Sequence, residues 1–272
     1  MNIVFSINRK FLQQLCTTIV SVLENNFCNI NIIILHSDLN EKDISIIELL
    51  KLKYKNLKIE YINVDKKHFE NLKNNIEYIS IETYYRYAIA EFITEEKCLY
   101  LDADIIVNGN LENLYNTDIE DFYCAGVKDL FIECQDYKKT IDLSEQNIYI
   151  NAGVLLLNLK KMKEDNIYKL LLDNTENYQD KIKFQDQDII NITFKNKIKE
   201  VDSINNFTSM SIEFEKEKSK NAVIIHYTGA KKPWHFKYKD KFYKKIWQKY
   251  NKIYKLLILQ KKRFFEWFKF LL

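Results

Sequence analysis

The amino-acid sequence predicts an α/β fold in which a mainly parallel β-sheet is covered by helices on both faces. Short runs rich in Ile, Val and Leu alternate along the chain with segments of helical period, an order typical of parallel strands joined by helical crossovers. The chain has only four glycines in 272 residues, each at or near a polar cluster that ends or interrupts a strand-like run. In sheets of this kind, ligands bind beyond the carboxyl ends of the strands.

Seven strands are predicted, each a short apolar run bounded by polar residues. In chain order they are residues 2–7, 31–36, 58–64, 98–102, 122–127, 150–157 and 222–227. Five helices are predicted between several of these strands, because apolar residues recur there every three or four positions. They are residues 11–23, 41–52, 83–93, 159–174 and 185–194. The fourth strand ends at two aspartates and the last at a histidine, which predicts a ligand site at that edge of the sheet.

The two aspartates belong to the run YLDADIIV at 100–107, which places Asp102 and Asp104 two residues apart. In extended chain this spacing turns both side chains to one face. Two like charges held among apolar residues are costly unless something compensates them, and a divalent cation is the simplest compensator. The alternative is a strand end with two solvated aspartates, because such a tripeptide arises easily by chance.

Several common sites are excluded. The sequence contains no G-x-G-x-x-G run and no Walker A loop, which argues against standard dinucleotide and P-loop sites. The five cysteines form no C-x-x-C pair, a pattern typical of buried thiols in a reducing compartment. Asn191 and Asn206 begin N-x-T sequons, but the chain is expected to start with a strand rather than a secretory signal, so we assign them no glycan.

Five motifs occur in the order and with the spacing seen in retaining glycosyltransferases of family 8, and the chain resembles that family over residues 1–238. The motifs are YLDAD at 100–104, DLFIE at 129–133, NAGVLLLNLK at 151–160, FQDQD at 184–188 and HYTGAKKPWH at 226–235. The resemblance is strongest to bacterial lipooligosaccharide and lipopolysaccharide α-galactosyl- and α-glucosyltransferases. It implies the GT-A fold, whose Rossmann-like sheet binds a nucleotide sugar.

The resemblance implies that Asp102, Asp104 and His226 bind a divalent metal. Oxygen ligands with one imidazole suit Mn²⁺ better than Mg²⁺. The metal would bridge the diphosphate of a UDP-sugar and neutralise charge on the departing UDP. The family's motifs place three further residues beside the nucleotide: Ala103, Gly229 and Lys232. Without the resemblance, His226 is predicted to be a buried strand-end histidine and Lys232 one cation of a basic run.

The resemblance also implies a set of residues around the donor sugar. They are Arg86, Asp129, Asn151, Ala152, Asp186 and Gln187, of which Gln187, Asp186 and Asp129 are assigned to catalysis. Because an amide is a poor nucleophile, we favour a front-face, ion-pair-like substitution in which Gln187 stabilises the oxocarbenium-like state. Residues i and i+2 of a helix do not share a face, so Asp186 and Asp188 cannot both enter one pocket from a regular helix.

Two positions depart from the family's pattern where the uracil is expected. Relatives carry an acidic residue and a tyrosine after the first strand, whereas this chain has Asn8 and Phe11. The Asn8 carbonyl can accept the uracil N–H, and Phe11 can stack on the ring but cannot donate a hydrogen bond. Uridine recognition is therefore expected, with contacts that differ from those of the relatives.

The composition changes sharply near Lys231. From there to Leu272 fourteen Lys and Arg residues face only Asp240 and Glu266, although the whole chain carries a net charge of +3, so the preceding body is acidic. Apolar residues between 242 and 257 follow a helical period, and a basic, aromatic segment at 261–272 follows. We predict a catalytic domain over 1–238 and an amphipathic tail over 239–272 that lies on anionic lipid. The alternative is a helix docked on the protein's own core.

The predicted function is transfer of a hexose from UDP to a saccharide or lipid-linked oligosaccharide acceptor, with galactose favoured and glucose as the alternative. Lipooligosaccharide or lipopolysaccharide core is the expected acceptor, and the inner face of the cytoplasmic membrane is the expected location. One rival is a phosphatase of the haloacid dehalogenase type, whose D-x-D motif expects Thr or Val where Ile106 stands. The other is a non-enzymatic membrane-surface protein. The acidic body argues against a nucleic-acid partner.

Overall fold

A computed structural model of the chain describes residues 1–65, 67, 69 and 81–271, with the backbone alone for Ile81 and residues 261–271. The strands are β1 (Asn2–Ser6), β2 (Ile30–His36), β3 (Leu57–Asn63), β4 (Lys97–Leu101), β5 (Ile105–Val107), β6 (Cys124–Lys128), β7 (Ile150–Asn158), β8 (Ile198–Glu200) and β9 (Ile224–His226). The α-helices are α1 (Leu12–Asn25), α2 (Glu41–Glu48), α3 (Leu50–Lys53), α4 (Ile89–Phe92), α5 (Glu112–Tyr115), α6 (Leu130–Glu133), α7 (Leu159–Glu164), α8 (Ile167–Tyr178), α9 (Asp186–Thr193), α10 (Ser209–Phe214) and α11 (Lys241–Leu271).

The central sheet has the strand order β3-β2-β1-β4-β7-β6-β8. Its pairings are parallel except on either side of β7, which runs antiparallel to β4 and β6. The predicted fold class, a mainly parallel α/β sheet flanked by helices, is confirmed. Because β1 and β4 are parallel neighbours, the loops that follow them leave the sheet at the same edge, and the aspartate pair lies in one of these loops.

Alternate residues of the strands pack into two separate hydrophobic cores, one on each face of the sheet. In β1, Ile3 and Phe5 join the core formed with α1, whereas Val4 joins the core formed with α4 and the helices that follow β7. This alternation is what a sheet covered on both faces requires.

All seven predicted strands occur, with ends that shift by at most two residues. The last of them, β9, differs in its partner, because it pairs antiparallel with β5 in a separate two-stranded sheet. The strands β5 and β8 were not predicted, because three residues are too few to show a period. The predicted helix over 159–174 breaks at Asn166, whose φ of 50° ends α7 and begins α8. The predicted helix over 83–93 is mostly the 3₁₀ helix Ile81–Ala88.

The predicted C-terminal helix exists as α11, but its apolar side is not available to lipid over the first four turns. Tyr243, Trp247, Tyr250 and Tyr254 are buried in the core that contains α1. Buried polar contacts accompany this packing, since Gln13 of α1 donates to Asn251 at 3.0 Å. The expectation that residues 240–257 turn their apolar side to a membrane is therefore wrong, because α1 covers that side.

The aromatic end of the tail, which we also expected to contact lipid, lies outside the described side chains. Among the described residues, none of the helices combines the length and apolar character that a bilayer crossing requires. The division of the chain at residue 238 stays a prediction.

Candidate active site

A cavity of about 260 Å³ opens beyond the carboxyl ends of β1 and β4. The loops after β1, β4 and β9 line it, together with the start of β7 and the first residues of α9. Every predicted site residue except Asp129 lines this cavity: Asn8, Phe11, Arg86, Asp102, Ala103, Asp104, Asn151, Ala152, Asp186, Gln187, His226, Gly229 and Lys232. The fold thus brings residues that lie more than 200 positions apart in the chain into one site, although their roles stay predictions.

We expected the two aspartates of the D-x-D run to lie in extended chain, but they do not. Asp102 follows β4, and Ala103 and Asp104 form a turn before β5. The backbone N–H of Asp102 still donates to the Gly153 carbonyl at 2.9 Å, which continues the pairing of β4 with β7. The turn brings both carboxylates against His226, which ends β9 beside them.

In both Asp102 and Asp104, one carboxylate oxygen contacts a neighbouring side chain, and the other oxygen faces His226. Tyr100 Oη donates to Asp102 Oδ1 at 2.7 Å. The second oxygens face His226 Nε2, which lies 3.8 Å from Asp102 Oδ2 and 3.3 Å from Asp104 Oδ1. One ligand atom from each of the three residues lies within 4.8 Å of the other two. This geometry and the O, O, N donor set fit a divalent cation such as Mn²⁺.

Gly153 makes this close approach possible. A Cβ atom at this position would lie 2.7 Å from Asp102 Oδ2 and would overlap the His226 ring. Because no ordinary Cβ contact is that short, the strand β7 can pass directly behind the carboxylates only with glycine here. From the sequence, a glycine beside a polar cluster was expected to permit close approach of the backbone, and Gly153 permits it against Asp102 and His226.

Lys232 also belongs to this end of the cavity. Its Nζ donates to Asp104 Oδ2 and, at 2.6 Å, to the Tyr227 carbonyl. Burial alone would raise the pKa of Asp104, but the charge of Lys232, with His226 as a second neighbour, outweighs it and holds that pKa well below its ordinary value. Two of the three ammonium donors of Lys232 are thus accounted for within the protein.

Arg86 joins the two ends of the cavity. Its Nη2 donates to Asp102 Oδ1 at 3.2 Å, and its Nη1 donates to the Ala152 carbonyl. Its Nε lies 2.8 Å from Asp186 Oδ2, although the Nε hydrogen points to the Thr83 carbonyl. The contact with Asp186 is therefore an ion pair without an aligned hydrogen bond. One buried guanidinium thus fixes Asp102 at the end that holds the three candidate metal ligands, which we call the metal end, and Asp186 at the end where the donor sugar is expected, which we call the sugar end.

Asp186 is almost fully buried at the N-terminus of α9. Thr83 Oγ1 donates to its Oδ1 at 2.7 Å. Burial raises the pKa of Asp186 to about 6, because the opposing charge of Arg86 compensates only part of the lost hydration. Thr83 and Arg86 are three residues apart on the 3₁₀ helix and therefore share a face, a spacing that could have indicated Thr83 from the sequence.

The sugar end of the cavity is built from amides whose hydrogen bonds interlock. Gln187 Oε1 accepts from the backbone N–H of Ala152 at 3.0 Å and from Asn151 Nδ2 at 3.2 Å. Gln187 Nε2 and Asn151 Nδ2 both donate to Asp129 Oδ2, each at 3.1 Å. Asp129 Oδ1 caps α6 by accepting from the Phe131 N–H. Asp129 thus holds the two amides, and unlike them it does not line the cavity.

Asp188 points away from the cavity, as the helical spacing predicts. Its carboxylate accepts from Tyr149 Oη at 2.5 Å, from Tyr137 Oη at 2.6 Å and from two backbone N–H groups of residues 183 and 184. These bonds anchor the start of α9, where Gln185 adopts a φ of 50°, a region that residues other than glycine rarely occupy. The turn aims Asp186 and Gln187 into the cavity.

The expected uracil end contains an acidic residue that the sequence did not indicate. Asn8 Oδ1 caps the 3₁₀ helix Arg9–Phe11 by accepting from the Lys10 N–H at 3.1 Å. Asn8 Nδ2 donates to Glu82 Oε2 at 3.2 Å, and Glu82 lines the cavity. A carboxylate thus lies next to Asn8 at the expected uracil end, but it comes from a distant segment, which a scan along the sequence cannot detect.

Comparisons with known proteins indicate one family of glycosyltransferases. A family model described as glycosyl transferase family 8 matches residues 2–238. A Haemophilus influenzae protein named as a glycosyltransferase is 37% identical over 245 residues, which cover 87% of this chain and 74% of that protein. A lipopolysaccharide 1,2-glucosyltransferase of Escherichia coli is 29% identical over 252 residues, which cover 85% of this chain and 73% of the enzyme. GlyA of Streptococcus pneumoniae is 32% identical, but the chain covers 34% of its length.

Solved structures give the same result. A crystal structure of the galactosyltransferase LgtC with donor and acceptor sugar analogues is 30% identical and has a TM-score of 0.83, over 92% of this chain and 96% of LgtC. The glycosyltransferase GlyE of Streptococcus pneumoniae, 23% identical with a TM-score of 0.72, shares the fold. The similarity to LgtC therefore extends over most of both chains.

Proposed function

We propose that this chain, which belongs to glycosyltransferase family 8, is a retaining hexosyltransferase that uses a UDP-hexose donor and a saccharide acceptor. One observation carries the proposal. A single cavity holds two carboxylates and an imidazole that fit a divalent cation at one end, and at the other end an amide cluster suited to sugar hydroxyls. The haloacid dehalogenase phosphatase and the non-enzymatic membrane protein, our two rivals, do not require the second cluster.

In this proposal, Asp102, Asp104 and His226 would hold Mn²⁺, and the bound cation would supply positive charge next to the departing diphosphate. Lys232 adds a second positive charge at the same end. Gln187 Oε1 is fixed in the cavity by the Ala152 N–H, so its partial negative charge is available to an oxocarbenium-like centre without reorientation. Asp186 and Arg86 bind sugar hydroxyls by charged hydrogen bonds that discriminate epimers.

Similarity to known enzymes supports a choice of hexose, and exposed aromatic rings support a saccharide acceptor. We favour galactose because LgtC is a galactosyltransferase, with glucose as the alternative because the Escherichia coli relative is a glucosyltransferase. For the acceptor, Phe131 is 45% exposed and contacts Phe184 edge to face, with ring centroids 6.0 Å apart. Phe184 lines the cavity, so these rings offer an apolar face to a saccharide at its mouth. Lipooligosaccharide or lipopolysaccharide core is the proposed acceptor.

The decisive experiment is a panel of UDP-sugars with and without Mn²⁺, with release of UDP as the readout. We expect hydrolysis of UDP-galactose or UDP-glucose that requires metal, and little with other donors. Lactose or a lipooligosaccharide core then serves as acceptor, and NMR of the product should show an α linkage. Release of phosphate from a monoester without UDP release would support the phosphatase, and a β product would contradict retention.

We further propose that the protein associates with the cytoplasmic membrane surface. The support is a set of exposed aromatic and basic residues around the start of α11, where Phe236 is 97% and Phe242 is 62% exposed among four exposed lysines: Lys237, Lys239, Lys241 and Lys245. Exposed aromatic rings beside cations suit an anionic lipid interface.

Co-sedimentation with vesicles that contain anionic phospholipid tests this location. We compare the full chain, a chain that ends at Gln260, and a Phe236→Ser/Phe242→Ser variant. Binding should weaken with salt and should fall in either altered protein, while UDP release stays near the level of the full chain. Equal binding by all three proteins, or binding by none, would contradict the proposal.

A further inference from the structure

We propose that Asn206 is a positioning residue that sets which nitrogen of His226 faces the metal and that connects the metal end of the cavity to its sugar end. The inference rests on the metal site proposed above. It concerns a residue outside the five sequence motifs, at a position that the sequence marks only as a sequon.

Asn206 is completely buried and bonded at both ends of its amide. Its Oδ1 lies 2.9 Å from His226 Nδ1, and its Nδ2 donates to Asn151 Oδ1 at 3.0 Å. The backbone fixes this placement, because Phe207 pairs with β9: its N–H donates to the Ile224 carbonyl at 2.8 Å, and its carbonyl accepts from the His226 N–H at 3.0 Å. The 3₁₀ helix Ser203–Asn206 therefore presents Asn206 to the His226 ring.

The donor and acceptor roles in this chain of hydrogen bonds are fixed by one backbone N–H group, which can only donate. The backbone N–H of Gly153 donates to Asn151 Oδ1 at 3.1 Å, so that oxygen must be an acceptor. The atom of Asn206 that faces it must then be the NH₂ group, and the atom that faces His226 must be the carbonyl oxygen. A carbonyl oxygen only accepts, so the hydrogen of the imidazole lies on Nδ1. In the neutral imidazole, the form that binds a metal, the lone pair on Nε2 then faces Asp102 and Asp104.

The same amide chain reaches the sugar end. Asn151 Oδ1 accepts hydrogen bonds from Gly153 and Asn206. Asn151 Nδ2 donates hydrogen bonds to Asp129 and Gln187. One connected network of hydrogen bonds therefore orients the His226 imidazole at one end of the cavity and the Gln187 amide at the other. Partners that orient a metal-bound histidine from behind typically change metal affinity 10–100-fold when they are removed.

Binding of Mn²⁺ to the full-length protein without donor tests the proposal, with EPR of the free ion as the readout. Asn206→Ala should weaken binding about 10–100-fold and should reduce the ¹⁴N coupling of the bound ion in pulsed EPR, because the imidazole is no longer oriented. Asn206→Asp keeps an oxygen that accepts from Nδ1 and should bind Mn²⁺ within about threefold of the original protein, or more tightly. The matched control is Asn26→Ala, which removes a similarly buried asparagine that holds backbone groups far from the cavity and should leave the affinity unchanged.

Two outcomes would overturn the inference: an unchanged affinity in Asn206→Ala, or equal weakening in Asn206→Ala and Asn206→Asp. If Asn206→Ala does not fold, Asn206→Ser replaces it, because a serine hydroxyl is too short to reach the imidazole. Asp104→Ala separates this result from failure of the proposed function. If the original protein does not bind Mn²⁺, or Asp104→Ala does not change binding, the metal site itself is wrong.

Discussion

The two ends of the cavity stabilise their polar groups in opposite ways. At the metal end, Asp102 and Asp104 each have one oxygen held by a neighbour, and the other turns toward His226 across a shared gap. At the sugar end, Asn151 and Gln187 are neutral, and their oxygens and NH₂ groups are bonded to each other, to Asp129 and to backbone. The free carboxylate oxygens of the metal end are suited to a bound cation, whereas the amides of the sugar end are already hydrogen-bonded within the protein.

The contrast predicts that the two ends respond differently to metal and to solution conditions. Carboxylates that face one another are costly without a cation, so the metal end should depend strongly on conditions. Interlocked amides lose little entropy when a sugar arrives, so the sugar end should be rigid and insensitive to metal. Variants at the two ends should therefore give different signatures.

The largest effect is expected for Asp104→Ala. Removing one carboxylate leaves charge on the leaving diphosphate uncompensated, so turnover should fall by roughly two orders of magnitude or more. Mn²⁺ affinity should fall with it, as measured by EPR of the free ion. A variant as fast as the original protein, or full activity in excess EDTA, would show that the metal end is not a metal site.

Gly153→Ala acts where the two ends meet. The added Cβ would overlap the His226 ring and Asp102 Oδ2, so Mn²⁺ affinity should fall about 10–100-fold, as expected when ligands are displaced. Gly109→Ala is the matched control, because its Cβ would meet Val223 at an ordinary 3.4–3.5 Å. Similar affinities for the two alanine variants would mean that β7 can move away from the ligands.

Gln187→Ala should affect chemistry without affecting the metal. Because Gln187 Oε1 contributes more to a developing positive charge than to the bound donor, kcat should fall about tenfold or more, with a smaller change in donor KM. Mn²⁺ affinity should stay within about threefold of the original value. An unchanged kcat with weaker donor binding would make Gln187 a positioning residue instead.

The smallest expected effect is one on stability, and it comes from the buried carboxyl of Asp186. Burial raises the pKa of Asp186 to about 6, so its carboxyl stabilises the fold fully below about pH 4, and this contribution is lost as the pH rises through 6. Urea unfolding in EDTA should show the original protein losing about 1–3 kcal/mol relative to Asp186→Asn between pH 4.5 and 7.5. A constant difference between the two proteins would show that Arg86 compensates the charge completely.

The sequence predicted seven of the nine strands in the described part of the chain from local apolar runs, and most of the cavity lining from the motifs that resemble family 8. Strands such as β2 and β7 are long apolar runs, and Asp102, His226 and Gln187 lie in ordered motifs. What it could not predict depends on contacts across the chain. Glu82 reaches Asn8 from 74 positions away, and Asn206 reaches His226 through the pairing of residue 207 with β9.

The C-terminal tail is another case in which the sequence predicts an element but not the surface that it contacts. An amphipathic period is identical for a helix on lipid and for a helix on protein. The sequence therefore predicted the helix α11 but not its partner. Only the packing of Tyr250 and Asn251 against α1 distinguishes the two cases.

The burial of the two sequon asparagines has a practical consequence for producing the protein. Asn191 and Asn206 are both fully enclosed and both use their amides in hydrogen bonds, so neither can carry an oligosaccharide in the folded state. A secretory expression host modifies such sites while the chain is still emerging and unfolded. Recombinant production should therefore use a cytosolic bacterial host, or substitute Thr193 and Thr208 beforehand.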